Sequence, residues 1–423
     1  MPHHPRPPAS PASPASPASQ PARPTTASTT PSTSAGSTPA PTIAVTRGRF
    51  GPAAAQVLEQ VRAGGTLLRE EIATGTGLSV PTVGRMVTQL VAARLLRERP
   101  DRAPIGVVGR PGTPVEVDPD HFGVVGVHLG RRTTTVALGD LTGRPLAHRS
   151  LPRDPAVAPD LTEVARVASR LLADSRTRAP LSLGVVAPWR DVGLDQAATE
   201  AALHDLTGLD VRGGDHVAAI AATEFLHRRH GTTGVTLYVY ARDTIGFAVA
   251  VDKGSSVEVS RVGSLTHFPT GSDQACDCGR TGCLEVSAGD QALLHRAAAL
   301  GVPVDLGEIE SLHRAAATHP DACELLAARA RTLGSVAAAV RDIIAPDRVV
   351  LVGQAFTGFA PVLPETLTGY DAGALREVPA TFTRFAAGIQ AVSACTIALG
   401  PVYDDPFALV PTGAPAPRPG VTA

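Results

Sequence analysis

The sequence predicts an α/β protein in two folded parts: a small basic helical module, then a larger, internally duplicated α/β domain. Three observations carry this. A strand-turn-strand-turn-strand pattern occurs twice, from Gly123 and from Val235, and helical sequence follows each copy. Ahead of the first copy, short stretches of helical apolar periodicity are separated by glycines. Three of the five cysteines fall with a histidine between positions 267 and 283, a grouping that random placement rarely gives.

The 423 residues allow two or three domains with a sizeable core. The chain has no continuous apolar run long enough for a membrane span and no signal-peptide apolar region at its start. Few cysteines, grouped rather than spread as a disulfide framework, point to a reducing, cytoplasmic compartment. A net charge of −1 neither favours nor excludes nucleic acid.

Residues 1–46 are Pro, Ala, Ser and Thr with repeated Pro-Ala-Ser units, Arg6 and Arg23, and no acidic residue. Such a segment buries too little apolar surface to offset its ordering entropy, so a disordered tail is expected. Residues 47–120 form the basic module. Between 47 and 112, ten arginines (47, 49, 62, 69, 85, 94, 97, 99, 102 and 110) face only Glu59, Glu70, Glu71, Glu98 and Asp101.

Within the module, Ala54, Val57, Leu58 and Val61 share one helical face, and Gly64 with Gly65 ends that helix. Leu68, Ile72 and Ala73 make a second short face, broken at Gly75 and Gly77. Ser79 is a good N-cap and Pro81 suits a first helical turn. From there Val83, Val87, Leu90 and Val91 form an inward stripe, while Thr82, Arg85, Thr88 and Gln89 point outward. A hairpin follows through an Arg-rich turn containing Arg102, then Val107-Val108, Gly109-Arg110-Pro111 and Val115-Glu116-Val117.

Two helices joined by a tight turn, the second presenting Thr, Arg and Gln, is a geometry that enters a major groove. Arg pairs bidentately with guanine and Gln with adenine. Arg110 at the hairpin tip suits a minor groove or a phosphate. A small bundle with a solvated polar face would show the same pattern.

Residues 121–411 form the duplicated domain. Val124, Val125 and Val127 start the first copy, followed by the Gly130-Arg131-Arg132 turn, a strand at 133–138, a turn at 140–143 and a strand at 145–150. The second copy has strands at 235–240, 245–251 and 256–260. Helices are expected at 160–172, 218–227, 290–300 and 323–344, a buried strand at 348–353, and a frayed Pro/Ala-rich end at 412–423.

His267, Cys276, Cys278 and Cys283 can close around one tetrahedral Zn²⁺ with no open position, which would hold structure rather than activate water. Gly279 and Gly282 permit the tight backbone between Cys278 and Cys283. Buried or reactive thiols, or a disulfide, are the alternatives.

The run His267 … Cys276-Asp-Cys278-Gly-Arg-Thr-Gly-Cys283-Leu-Glu285 resembles the zinc signature of the ROK family, repressors and sugar kinases built on an actin-like (ribonuclease H-like) two-lobed fold. Leu78-Ser79-x-x-Thr82-Val83 and Gly109-Arg110-Pro111 resemble the recognition helix and wing of the winged helix-turn-helix of ROK repressors. The resemblance covers residues 50–405. It implies a DNA-binding regulator of the repressor type, serving sugar or secondary metabolism and acting as a homodimer on a duplex operator. Ser79, Thr82, Arg85, Thr88, Gln89, Arg102 and Arg110 would be the DNA contacts.

The catalytic pattern of the family's kinases departs. Their Asp before the first glycine turn is replaced by His128, and Arg131 with Arg132 crowd that turn. Of the second turn, in Arg242-Asp243-Thr244-Ile245-Gly246, only Ile245 and Gly246 follow the pattern. His216 stands in place of the base Asp, and Asp215 in place of an Asn. The segment 188–206 is shorter than in the family. The resemblance therefore implies no catalytic residue and no phosphoryl transfer. Asp215, His216, His267 and Glu285 remain as candidates for a sugar-like effector pocket. A sugar kinase with an added DNA-binding module, or a ligand-independent dimeric scaffold, are the alternatives.

Overall fold

The computed structural model describes residues 43–46, 52–103, 112–175, 178–227, 233–252, 256–373, 375, 377–383 and 388–410. Its first element is a strand, β1 (Ile43–Thr46). The sequence placed these residues in the disordered tail. Their Ile-Ala-Val-Thr composition is β-prone where the preceding Pro-Ala-Ser repeats are not.

Three helices follow. α1 (Ala53–Gly64) buries Ala54, Val57, Leu58 and Val61, the face set by their spacing, and ends at Gly65 with φ +81°. α2 (Arg69–Thr76) buries Ile72 and Ala73 and ends at Gly77, also left-handed. α3 (Val80–Ala92) is capped by Ser79, whose hydroxyl accepts from the Thr82 amide at 3.3 Å, with Pro81 in the first turn. β2 (Leu96–Glu98) pairs antiparallel with β3 (Val115–Val117), forming the stem of the expected hairpin. Val107-Val108 and Gly109-Arg110-Pro111 lie outside the described residues.

The larger domain holds two sheets of like design. In the first, β4 (Phe122–Leu129), β5 (Thr133–Gly139) and β6 (Pro145–Pro152) are antiparallel. α4 (Leu161–Asp174) leads to β7 (Ala179–Ala187), parallel to β4, and α5 (Gln196–Thr207) leads to β8 (Asp210–Asp215), parallel to β7. The order is β6-β5-β4-β7-β8.

The second opens with α6 (His216–His227), then antiparallel β9 (Gly234–Ala241), β10 (Ile245–Asp252) and β11 (Ser256–Ser264). After the cysteine loop come α7 (Leu284–Ala288), α8 (Asp290–Ala299), α9 (Ile309–Ala315) and α10 (Pro320–Ile344). β12 (Arg348–Val352) runs parallel to β9, then α11 (Gln354–Thr357), α12 (Leu363–Asp371) and β13 (Ala380–Phe382), parallel to β12. β1 adds antiparallel to the free edge of β11, Ile43 opposite Val259. The order is β1-β11-β10-β9-β12-β13. Three antiparallel strands with parallel strands added beyond the first, in both sheets, is the duplication expected from the sequence.

The last helix, α13 (Ile389–Asp404), returns to the first sheet. A Cβ on Gly184 would lie 2.3 Å from the Ala394 carbonyl oxygen, and one on Gly126 2.7 Å from the Cys395 nitrogen, so both glycines are what let the helix sit down. α13 also meets the helical module. The Arg62 guanidinium lies over the Tyr403 ring, 5.4 Å from its centroid, and donates to the Leu226 carbonyl at 3.1 Å. The Tyr403 hydroxyl donates to the Leu141 carbonyl at 2.7 Å. Among the described residues no helix is long and apolar enough to cross a membrane.

Candidate functional site

On α3, Val83, Val87 and Leu90 are buried, while Arg85, Thr88 and Gln89 are exposed on the opposite side. Val91 and Thr82 are half-buried. The Thr88 hydroxyl donates back to the Gly84 carbonyl at 2.9 Å, and Ser79 is engaged as the cap. Arg102 is exposed and donates to Thr66 Oγ1 at 3.3 Å. Arg110 lies outside the described residues.

The arginine surplus is partly neutralised. Arg62 pairs with Glu59, Arg69 with Glu98, Arg97 with Glu116 and Asp120, and Arg99 with Asp101 and Glu116, at 2.6–2.8 Å. Glu116 and Asp120 lie just beyond the stretch in which the charges were counted. Arg85, Arg94 and Arg102 are exposed and have no ion pair among the described residues. Arg85 therefore stands alone as an unpaired cation on the outward face of α3.

The cysteine loop folds as the glycines suggest. Gly279 and Gly282 adopt φ of +83° and +70°. The Gly279 amide donates to the Cys276 carbonyl at 2.9 Å, and the Gly282 amide to the Gln274 carbonyl at 2.8 Å. The result brings His267, Cys276, Cys278 and Cys283 together, with one ligand atom from each lying within 4.8 Å of all the others. Sγ of Cys278 and Cys283 are 3.5 Å apart, and Cys276 Sγ is 3.6 Å from His267 Nδ1. Tetrahedral metal–thiolate bonds of about 2.3 Å put sulfurs about 3.8 Å apart, whereas a disulfide needs about 2.05 Å. All five cysteines are free. Hydrogen bonding from Arg280 draws the Cys278 thiol down to about 6, while burial pushes Cys283 up to about 11. A divalent cation between them is what would make both thiolates. The donor set fits a closed tetrahedral metal site.

The cleft lies where the two lobes' turns face each other. His128, on β4, and His216, the first residue of α6, are both buried, with ring centroids 6.0 Å apart. Burial depresses both pKa values, so both imidazoles are neutral at pH 7. His216 Nε2 meets Thr244 Oγ1 at 3.2 Å, and its Nδ1 is 3.9 Å from Asp215 Oδ2, too far for a hydrogen bond. Asp215 Oδ1 instead accepts from the Val217 and Ala218 amides and so caps α6. Arg131, from the first turn, forms an ion pair with Glu285 of the opposite lobe. The space between the turns, bounded by His128, Arg131, Tyr240, Arg242 and Thr244, is about 10 Å³. That is about the minimum for one water.

The four residues proposed from sequence as one pocket therefore divide. Asp215 and His216 sit at the start of α6. His267 is taken into the cluster with the three cysteines. Glu285 is engaged by Arg131, its amide held on the Thr266 carbonyl at 2.9 Å. Asp191 was not singled out from sequence. Burial raises its pKa, and the nearby Arg131 guanidinium opposes that rise. It stands in the 188–206 segment, and no motif marks it. Neighbouring Trp189 donates to the Gly214 carbonyl at 3.0 Å, which pins that segment to β8.

Comparison with known proteins bears on all three regions. The family model described as ROK matches residues 124–368, more than half of the chain. Transcriptional regulator Rv0485 of Mycobacterium tuberculosis is 35% identical over 385 residues, covering 84% of this chain and 86% of the relative. The DNA-binding transcriptional dual regulator NagC of Escherichia coli is 24% identical over 335 residues, covering 71% and 80%. Among solved structures, a ROK family transcriptional regulator described as a homolog of the E. coli MLC protein superposes with TM-score 0.61 at 20% identity, over 83% of this chain and 96% of its own. A ROK family glucokinase from Streptomyces griseus, in complex with glucose and AMPPNP, gives 0.53 at 17% identity over 65% and 99%.

Proposed function

The chain belongs to the ROK family, and from that premise we propose that it is a DNA-binding transcriptional regulator whose kinase-like domain senses a ligand or dimerises. The observation that carries this reading is the outward face of α3. It presents Arg85, Thr88 and Gln89 on a helix entered through a Ser79 cap, in a chain similar to named regulators over most of both lengths. In the mechanism, α3 lies in a major groove with Arg85 on a guanine edge and Gln89 on an adenine edge, and Arg94 and Arg102 neutralise backbone phosphate. Two copies of the chain read a site with two-fold symmetry. Repression is the mode named for several relatives, described as N-acetylglucosamine repressors. A cytoplasmic location follows from action on DNA.

Zn²⁺ is the metal that three thiolates and an imidazole best suit. It supplies structure, since no coordination position stays open. The protein's part is to hold Thr266 and Glu285 at the cleft through the loop backbone. A sugar-like effector would meet Asp191, Asp215 and Glu285, and would compete with Arg131 for the last.

We also propose that phosphoryl transfer is lost. Neutral His128 and His216 replace the carboxylates, Arg131 is committed to Glu285, and about 10 Å³ remains between the turns. The competing reading, a sugar kinase with an added DNA module, draws on the fold shared with the glucokinase. Selection of bound fragments from random duplex DNA, with and without candidate sugars, tests the regulator reading. A symmetric consensus is expected, and recovery of no consensus counts against it. Release of ADP from ATP across common hexoses should be absent, and turnover abolished by His216→Ala would restore the kinase reading.

A further inference from the structure

Beside the cysteine loop lies a cavity of about 170 Å³. Thr270 and Ser272 of the loop, Ser287 of α7, Arg296 of α8, and Arg329 and Thr332 of α10 line it. A water molecule's share of the liquid is about 30 Å³, so the space holds roughly five waters, or a small polyatomic ion with a substituent.

Its lining holds two guanidiniums, those of Arg296 and Arg329, and no carboxylate. Thr270 Oγ1 and Ser272 Oγ lie 2.7 and 2.9 Å from Ser287 Oγ; Thr270 donates to the Gly282 carbonyl at 2.9 Å and Ser287 to the Cys283 carbonyl at 3.1 Å, so Ser272 is the hydroxyl left to donate beside the guanidiniums. Arg296 donates only to the neutral carbonyls of Ala292, at 3.2 Å, and Ser287, at 2.6 Å, and has no carboxylate partner among the described residues. Arg329 has a side chain 2% exposed and pairs with Asp290. Its Nε is nevertheless buried with no hydrogen-bond partner. Buried guanidinium N–H groups are almost always satisfied, so that orphan needs an acceptor. Arg329 is paired with Asp290, and Arg296 brings a second guanidinium that has no carboxylate of its own among the described residues. Burial and the charge of Arg329 together depress the pKa of Arg296, the strain expected of adjacent cations without an anion.

We propose that this cavity binds a tetrahedral oxyanion of the phosphate class, either free phosphate or the phosphoryl group of a small ester. Arginine forks and hydroxyl donors are the groups that recognise such an ion. A neutral polyol would want carboxylate acceptors, and none is among the lining residues. Because Thr270 and Ser272 belong to the metal loop and Arg329 to α10, an occupant ties the loop to the long helix of the second lobe. The inference stands whether or not the chain regulates transcription.

The full-length, metal-loaded, DNA-free chain is titrated by calorimetry with inorganic phosphate and, separately, with glycerol 3-phosphate, at ionic strength held constant with sodium chloride. Saturable binding near one per chain is expected for at least one probe. Arg296→Gln should weaken it at least tenfold, with metal content and circular dichroism unchanged. Ser272→Ala, which leaves both arginines in place, should weaken it severalfold and serves if Arg296→Gln does not fold. Binding of both probes means that the free ion suffices, and binding of the ester alone means that the occupant is a phosphorylated small molecule. Either supports the site. No saturable binding of either probe, or binding that neither variant weakens, overturns it.

Discussion

The arginines of the α3 face and of the first glycine turn are built in opposite ways. On α3, Arg85 is exposed and has no ion pair among the described residues. In the first glycine turn, Arg131 is spent on Glu285, and the space beside it is about 10 Å³. A guanidinium already paired with a protein carboxylate has fewer donors and less charge left for an external anion than one with no such partner. The difference is a matter of partners, and composition does not report partners. Four of the ten module arginines are paired with Glu59, Glu98, Asp101, Glu116 and Asp120, and Arg85 is not.

The sharpest way to separate the two regions is through the metal loop, which borders the cleft and not α3. Cys283→Ser should take bound zinc from about one per chain to near zero and cost on the order of 4 kcal/mol of stability, as loss of a structural metal commonly does. Affinity for DNA, measured well below the melting temperature, should change by less than about threefold. A parallel loss of DNA binding would mean that the two regions are coupled.

Acid should act next, and on the cleft side. His128 and His216 have folded pKa values below their ordinary 6.5 because they are buried. As pH falls below about 6.5, the unfolded chain takes up protons that the native chain refuses, so stability declines by up to about 1.4 kcal/mol per pH unit for each such histidine. The decline continues until the folded pKa is passed. Denaturant titrations at pH 7 and 5.5 should show it, and His128→Gln should flatten the slope. An unchanged slope would mean that His128 is protonated in the native state.

The smallest effect belongs to the ion pair across the cleft. Its side chains are 36% and 29% exposed, so Arg131→Ala should cost less than about 1 kcal/mol in denaturant unfolding. A cost above about 2 kcal/mol would make the pair a clasp holding the lobes together.

Much of this was legible in the chain itself. Ser79, Pro81 and the Val83-Val87-Leu90 stripe define α3 because capping and burial are local, and Gly65 and Gly77 end their helices where a left-handed residue is needed. The expected helices at 160–172, 218–227 and 290–300 lie within two residues of α4, α6 and α8, and that at 323–344 begins three residues inside α10. The His267–Cys283 grouping was legible because all four ligands lie within one short loop. What did not show depends on distance along the chain. Arg131 meets Glu285 from 154 residues away. Asp191 acquires its surroundings only when both lobes are assembled. The role of α13 rests on Gly126 and Gly184, whose lack of a side chain reads as a weak strand until the helix that covers them is placed. β1 was hidden by the low-complexity sequence before it.

The claim that phosphate recognition belongs to α3 and not to the cleft is tested most directly by the affinity of Arg85→Ala for the selected duplex. It is measured beside the unchanged chain at one fixed salt concentration, with a scrambled duplex as reference. The account predicts a loss of about 1–3 kcal/mol on the selected duplex and a much smaller one on the scrambled duplex, because a base contact adds to a phosphate contact. Equal affinity of the two proteins for the selected duplex would contradict it and remove Arg85, and with it the α3 face, from the DNA interface.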